Sequence, residues 1–69
     1  MSDKDAIEKL KDGESYIVPE SDYGKAEIWK KNSMYFLFEI PMYGGEPRFI
    51  EAYGTHRIDD MIKQYNSWA

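Results

Sequence analysis

Two strand-forming runs in the middle of the chain, joined by a short loop rich in proline and glycine, constrain this fold more than any other feature. Residues 34–40 and 48–53 are rich in the aromatic and β-branched side chains that favour strands. The loop between them is bounded by Pro41 and Pro47 and carries Gly44-Gly45 at its tip. Proline restricts φ at the edges of a turn and glycine tolerates positive φ, so this segment predicts a β-hairpin.

Helical patterns lie at both ends of the chain. Residues 2–12 carry acids early, lysines late and a narrow apolar stripe, which predicts a short helix that ends at Gly13. Near the other end, a 3.6-residue periodicity predicts an amphipathic helix with Thr55 as its N-cap and Asp59 and Asp60 in its first turns. The apolar positions of that helix are Ile58, Met61, Ile62, Tyr65 and Trp68.

Two further strands are predicted ahead of the central hairpin. Residues 15–18 are β-prone and end at Pro19, and residues 25–31 alternate loosely between apolar and polar side chains. Asn32-Ser33 then provides the two-residue spacing of a tight hairpin. The 69 residues therefore predict one α+β domain of order α-β-β-β-β-α. Its three- or four-stranded antiparallel meander carries an N-terminal helix and an amphipathic C-terminal helix.

Strand alternation divides the side chains of the predicted sheet into two sets. One set is largely aliphatic and is predicted to form a core under the C-terminal helix: Ile17, Ala26, Ile28, Met34, Phe36, Phe38 and Ile40. The other mixes aromatic and charged side chains: Tyr16, Val18, Glu27, Trp29, Lys31, Tyr35, Leu37 and Glu39. The pattern leaves open which face of the sheet the helices cover. It also leaves open how the side chains of residues 48–53 divide between the two sets, because the loop before them does not define the strand register.

The mixed set predicts a binding surface made of Trp29, Tyr35 and Leu37, because tyrosine and tryptophan are enriched at interface hot spots. Tyr43, Glu46 and Arg48 in and beside the central loop are predicted to contact the same partner, a protein, since loops held by rigid strands often bind. Three alternatives stay open for this face: cover by the N-terminal helix, cross-strand aromatic pairing, or association with a second copy as a homodimer.

Catalytic and metal-binding constellations are missing from the sequence, which predicts a protein that is not an enzyme and uses no cofactor. Cysteine is absent and His56 is the only histidine, whereas nucleophilic triads and metal sites need several such groups. Asp59 and Asp60 point about 100° apart on a helix, as ordinary first-turn acids do. Gly44-Gly45 joins two strands beside an acid, unlike a phosphate-binding loop.

The charge distribution argues against nucleic-acid binding. Nine basic residues oppose 13 acidic ones, the net charge is −4, and the basic residues form no stripe. Acids and lysines alternate, as in Asp3-Lys4-Asp5, which is typical of a solvated face rather than of an acidic nucleic-acid mimic. No apolar run reaches the ~20 residues of a membrane span. The N-terminal residues form a charged helical pattern, which is not the pattern of a signal peptide. A cytoplasmic protein is therefore expected.

A longer motif covers the central loop: Phe38-Glu39-Ile40-Pro41, followed by Tyr43-Gly44-Gly45-Glu46-Pro47. Together with the strand and helix after it, this motif resembles small uncharacterised proteins encoded by bacteriophages and other mobile elements of bacteria. The resemblance implies an accessory protein that binds a host or phage protein, and it brings no established activity, cofactor or catalytic residue. The predicted function is therefore a non-enzymatic protein-interaction module. Nucleic-acid binding or mimicry is the alternative.

Overall fold

A four-stranded antiparallel sheet carries the helices from both ends of the chain on one of its faces. The computed structural model describes residues 3–19, 24–41 and 45–68. Within those ranges the elements are α1 (Asp3–Glu8), β1 (Ser15–Val18), β2 (Ala26–Lys31), β3 (Met34–Glu39), β4 (Arg48–Gly54), a 3₁₀ turn (Thr55–Arg57) and α2 (Ile58–Asn66). The strands lie side by side in chain order, so the predicted α+β meander of order α-β-β-β-β-α is confirmed.

The connection between β2 and β3 is the predicted two-residue turn. Asn32 and Ser33 both have positive φ, 52° and 63°, which is the backbone of a type I′ hairpin. Lys31 consequently pairs with Met34. Two steps further along the hairpin Trp29 pairs with Phe36, and these paired positions share one face of the sheet.

The core lies between the helices and one face of the sheet. That face carries the even-numbered residues of β1 and β2 and the odd-numbered residues of β3. Its buried members are Ile7, Val18, Ala26, Ile28, Tyr35, Leu37, Tyr53, Ile58, Met61 and Tyr65. Tyr35 and Leu37 are only 4% and 0% exposed, so the prediction that they lie on an exposed surface is wrong. Both sides of β3 are apolar, so alternation alone does not indicate which side faces the core. The helices cover the side that carries Tyr35 and Leu37.

The predicted aliphatic core is also wrong as a set. Ala26 and Ile28 do lie in the core, but Ile17 and Met34 are exposed on the opposite face. Strand pairing causes this division, because Ile28 pairs with Leu37 rather than with Phe36, and Ile17 pairs with Glu27. Alternation within each strand is therefore correct, whereas the matching of β2 with its two neighbours, β1 and β3, is not.

The N-terminal helix is shorter than predicted and ends at Glu8 rather than at residue 12. Lys9 N–H donates to the Ala6 carbonyl at 3.3 Å, an i to i−3 bond that tightens and closes the last turn. The chain then reverses at Gly13, whose φ is +90°. The Gly13 N–H donates to the Lys30 carbonyl at 2.8 Å, so these loop residues extend the pairing of β1 with β2.

The C-terminal helix begins later than its predicted N-cap. Thr55 opens a 3₁₀ turn, and α2 itself starts at Ile58. The N-cap residues of these two elements, Gly54 and Arg57, make no side-chain cap hydrogen bond. The prediction of Thr55 as the N-cap is therefore wrong. Asp59 and Asp60 do lie in the first turn, as expected, and Ile58, Met61 and Tyr65 form the buried side of the helix.

Candidate protein-interaction surface

The sheet surface opposite the helices, called the open face here, carries a continuous set of large apolar side chains. Its members are Ile17 on β1, Trp29 on β2, Met34, Phe36 and Phe38 on β3, and Phe49 and Ala52 on β4, with Glu27 and Lys31 among them. In the described ranges, the four large apolar side chains that are most exposed all lie on this face. They are Ile17 at 51%, Trp29 at 39%, Met34 at 36% and Phe49 at 53%.

The strand register arranges these side chains in three rows across the sheet. The central row is Ser15, Trp29, Phe36 and Ala52. A second row contains Ile17, Glu27, Phe38 and Phe49, and a third contains Lys31, Met34 and Gly54. Because paired side chains in neighbouring strands lie about 5 Å apart, the side chains of each row are within contact range across the sheet.

A β-bulge in β4 brings Phe49 onto the open face. Leu37 pairs with Glu51 and Phe38 pairs with Phe49, so Ile50 is the additional residue in β4. Without that residue, alternation from the buried Tyr53 would place Phe49 on the helix side. The bulge instead leaves Ile50 packed against the core and Phe49 outside it.

The phenylalanines on this face pack against one another. The ring centroids of Phe38 and Phe49 are 5.6 Å apart at an angle of 66°, an edge-to-face contact. Those of Phe36 and Phe49 are 6.5 Å apart at 44°. Such pairs contribute about 0.5–1.5 kcal/mol beyond burial. The open face is therefore an ordered platform held by its own contacts.

Two opposite charges interrupt the apolar surface. Glu27 is half-buried between Ile17 and Phe38 in its row, and Lys31 lies exposed at the end of β2. Among the residues that the structure describes, neither has an ion-pair or hydrogen-bond partner for its side chain. A carboxylate in such apolar surroundings loses hydration without receiving a cation in return, which favours an incoming basic group.

The structure does not bring the six sequence-predicted binding residues together. Trp29 lies on the open face, whereas Tyr35 and Leu37 lie in the core on its other side. Glu46 and Arg48 are exposed next to the central loop, and the Arg48 guanidinium donates to the Glu39 carboxylate of the neighbouring strand. Tyr43 lies outside the described residues.

Sequence reasoning missed most of the open face, although one signal could have identified it. A two-residue turn at Asn32-Ser33 pairs Lys31 with Met34. Counting back from that pair places Trp29 beside Phe36, and Glu27 beside Phe38. Using the two-residue turn to set the pairing of β2 with β3 would therefore have placed Trp29 on the same face as Phe36 and Phe38. The position of Phe49 had no comparable signal, because it depends on the bulge.

The acids in the first turn of α2 pair with basic side chains of α1 and of the 3₁₀ turn. Asp59 forms a 3.1 Å ion pair with Lys4 of α1, and the hydrogen bond to Asp59 raises the pKa of Lys4. Asp60 forms a separate 3.1 Å ion pair with Arg57. His56 is exposed in the 3₁₀ turn. Within residues 3–19, 24–41 and 45–68, no group of three or more acidic or histidine side chains is placed to hold a metal ion.

Comparison with known proteins adds no relatives. No protein-family model, no curated protein and no solved structure matches this chain. In the part of the chain that the structure describes, no helix has both the length and the apolar character needed to cross a membrane. Function must therefore be inferred from the geometry of the open face.

Proposed function

We propose that this protein is a non-enzymatic protein-interaction module that binds a protein through the open face. The observation that carries the proposal is the concentration of exposed Ile17, Trp29, Met34 and Phe49 on the single face that the helices leave uncovered. With strands ~4.8 Å apart and a rise of ~3.3 Å per residue, the face measures about 20 Å by 20 Å. An apolar patch of this size on a small protein is typically a functional surface.

The open face also has the rigidity that specific binding favours. Its side chains stand on four paired strands, and Phe49 packs edge to face on Phe38. A surface ordered before binding loses little conformational entropy when the partner arrives. Trp29 lies in the central row, the position where tryptophan most often contributes a large share of binding energy.

The resemblance of the central motif suggests a biological setting for this module. A cytoplasmic accessory factor of a phage or mobile element would act by occupying a site on a host or phage protein, which a small rigid face can do. Nucleic-acid binding is the alternative, because aromatic sheet faces also stack bases. The net charge of −4 and the single lysine in the rows of the open face favour a protein partner.

Affinity capture followed by measurement on the purified pair tests the proposal. Trp29→Ala and Phe49→Ala are each expected to weaken binding at least tenfold while the circular dichroism spectrum stays native, because both side chains are exposed. Gln64→Ala on the exposed side of α2 is the control and should bind as the wild type does. Calorimetry should show a negative heat-capacity change on binding, since apolar surface is buried.

Salt dependence separates the two candidate functions. Binding through the open face to a protein should change little with salt, whereas phosphate contacts weaken steeply as salt rises. A captured nucleic acid with that steep dependence would replace the proposal by its alternative. Unfolding of the Trp29→Ala variant would contradict the assignment of Trp29 to an exposed surface.

A further inference from the structure

We infer that the occupant of the open face is a second copy of this chain, packed sheet against sheet about a two-fold axis that crosses β2 at Trp29. This inference rests on the proposed function, since it names the partner of the same surface. The observation behind it is the placement of Glu27 and Lys31 on the open face, at equal distances on either side of Trp29.

The two charges form a self-complementary pattern. Successive side chains on one face of a strand are ~7 Å apart, so Glu27 and Lys31 each lie about that distance from Trp29. A two-fold axis in the plane between two facing sheets, perpendicular to β2 at Trp29, exchanges positions 27 and 31. Glu27 of each copy then faces Lys31 of the other, and two ion pairs form across the interface.

The alternative two-fold axis leaves the carboxylate without a cation. An axis parallel to the strands and between β2 and β3 exchanges the two strands, so that Glu27 faces Phe38 of the second copy, its own register partner. That arrangement buries a carboxylate against an aromatic ring, which is unfavourable without an opposite charge. The axis at Trp29 instead places Trp29 on Trp29 and Phe36 on Phe36 in the centre, where aromatic contacts contribute most.

The dimensions of the face suit sheet-to-sheet packing. Facing sheets lie ~10 Å apart, a gap that a glutamate and a lysine side chain reaching from opposite sides can span. The footprint of ~400 Å² per copy is about half of the ~800 Å² of accessible surface that a standard specific interface buries per partner, and it falls in the range of weak, transient contacts. The dimer is therefore weak and its population depends on concentration, and a 69-residue chain gains stability from forming it.

Sedimentation velocity from micromolar to millimolar protein, with charge-reversed variants, tests the inference. The wild type is expected to dimerise as its concentration rises. Glu27→Lys and Lys31→Glu should each weaken self-association at least tenfold, because each places like charges opposite each other on both sides of the axis. An equimolar mixture of the two variants should associate again, since it restores two opposite-charge pairs. Glu51→Lys is the control, because Glu51 pairs with the buried Leu37 on the helix side.

The outcomes separate this inference from the proposed function. A wild type that stays monomeric, together with capture of another protein that Trp29→Ala loses, overturns the second copy and leaves the interaction module standing. A monomer with no partner sensitive to Trp29→Ala overturns both. A dimer that neither charge reversal weakens overturns the inference, because Glu27 and Lys31 of the two copies then do not face each other across the interface.

Discussion

Asp3 connects three separate parts of the chain at the scale of single residues. The Tyr16 hydroxyl donates to Oδ1 of Asp3 at 2.7 Å, and the Tyr65 hydroxyl donates to Oδ2 at 3.2 Å. One carboxylate in α1 therefore satisfies hydroxyls from β1 and α2. Tyr65 is fully buried, and a buried hydroxyl without a partner would be destabilising. This hydrogen-bonded cluster explains how the core accommodates the hydroxyl of Tyr65.

The same cluster predicts alkaline unfolding. Burial raises the pKa of Tyr65 well above its ordinary value of 10.0, and the hydrogen bond to Asp3 raises the pKa of Tyr16. Above pH 10 the unfolded chain releases the Tyr65 proton while the folded chain keeps it. The contribution of Tyr65 to the free energy of unfolding is therefore fully present below pH 10 and is lost as the pH rises. The free energy of unfolding should fall by about 1.4 kcal/mol per pH unit for Tyr65 alone.

Urea unfolding at a series of pH values, with Tyr65→Phe beside the wild type, measures this effect. At neutral pH the variant should lose about 1 kcal/mol, the typical net value of one hydrogen bond. Above pH 10 its stability should decline less steeply, because the variant has no phenol at position 65. Equal slopes for both proteins would mean that Tyr65 does not control alkaline unfolding.

At the scale of elements, the β2–β3 hairpin and the bulge in β4 together create the open face. The two-residue turn aligns Trp29 with Phe36, and the bulge rotates Phe49 toward Phe38. The turn and the bulge both act by setting the register of strand pairing. A shift of one residue in that register moves every side chain of a strand to the opposite face of the sheet. The open face is thus a product of a turn and a bulge.

The hairpin turn offers a stabilising substitution. Ser33 has a φ of 63°, a left-handed conformation in which a Cβ atom is unfavourable. Ser33→Gly should raise the free energy of unfolding by about 0.5–1 kcal/mol, since glycine is the preferred second residue of a type I′ turn. Thermal denaturation measures the change. Ser15→Gly at the first residue of β1 is the matched control and should destabilise, because glycine loses more conformational freedom than serine when the backbone is fixed in a strand. A destabilised Ser33→Gly would contradict the assigned turn.

At the scale of the whole molecule, one sheet face is covered by helices and the other by nothing within the described residues. A short chain buries a modest fraction of its surface, and here α1 and α2 suffice for one face only. The exposed aromatic platform is an incomplete second core. In the proposed dimer a second sheet would cover this platform, which would couple stability to protein concentration.

Fluorescence can follow the covering of the open face directly. The chain has two tryptophans, so Trp68→Phe leaves Trp29 as the only one. Its emission should shift to shorter wavelength as protein concentration rises, because association removes Trp29 from water. The same variant carrying Glu27→Lys should show a much smaller shift over that range. A concentration-independent spectrum in both proteins would contradict burial of Trp29 by a second copy.

Local sequence determined the elements of this protein and their order. The two-residue spacing at Asn32-Ser33 predicted the hairpin that the structure contains, and the periodicity from Ile58 to Tyr65 predicted the buried side of α2. These features depend on interactions between residues close in sequence: turn geometry, dipole charges and the 3.6-residue repeat. The boundaries were less accurate: α1 ends at Glu8 rather than at residue 12, and the residues after it form a loop in which Gly13 bonds to Lys30 of β2.

Tertiary structure alone decided which face became the core and which became the candidate surface. Both sides of β3 are apolar, so alternation separates Tyr35 and Leu37 from Phe36 and Phe38 without indicating which pair the helices cover. That choice depends on contacts distant in sequence, such as the bonds from Tyr16 and Tyr65 to Asp3. The bulge that exposes Phe49 likewise depends on pairing with β3. A pattern with period two specifies two faces, and only packing distinguishes them.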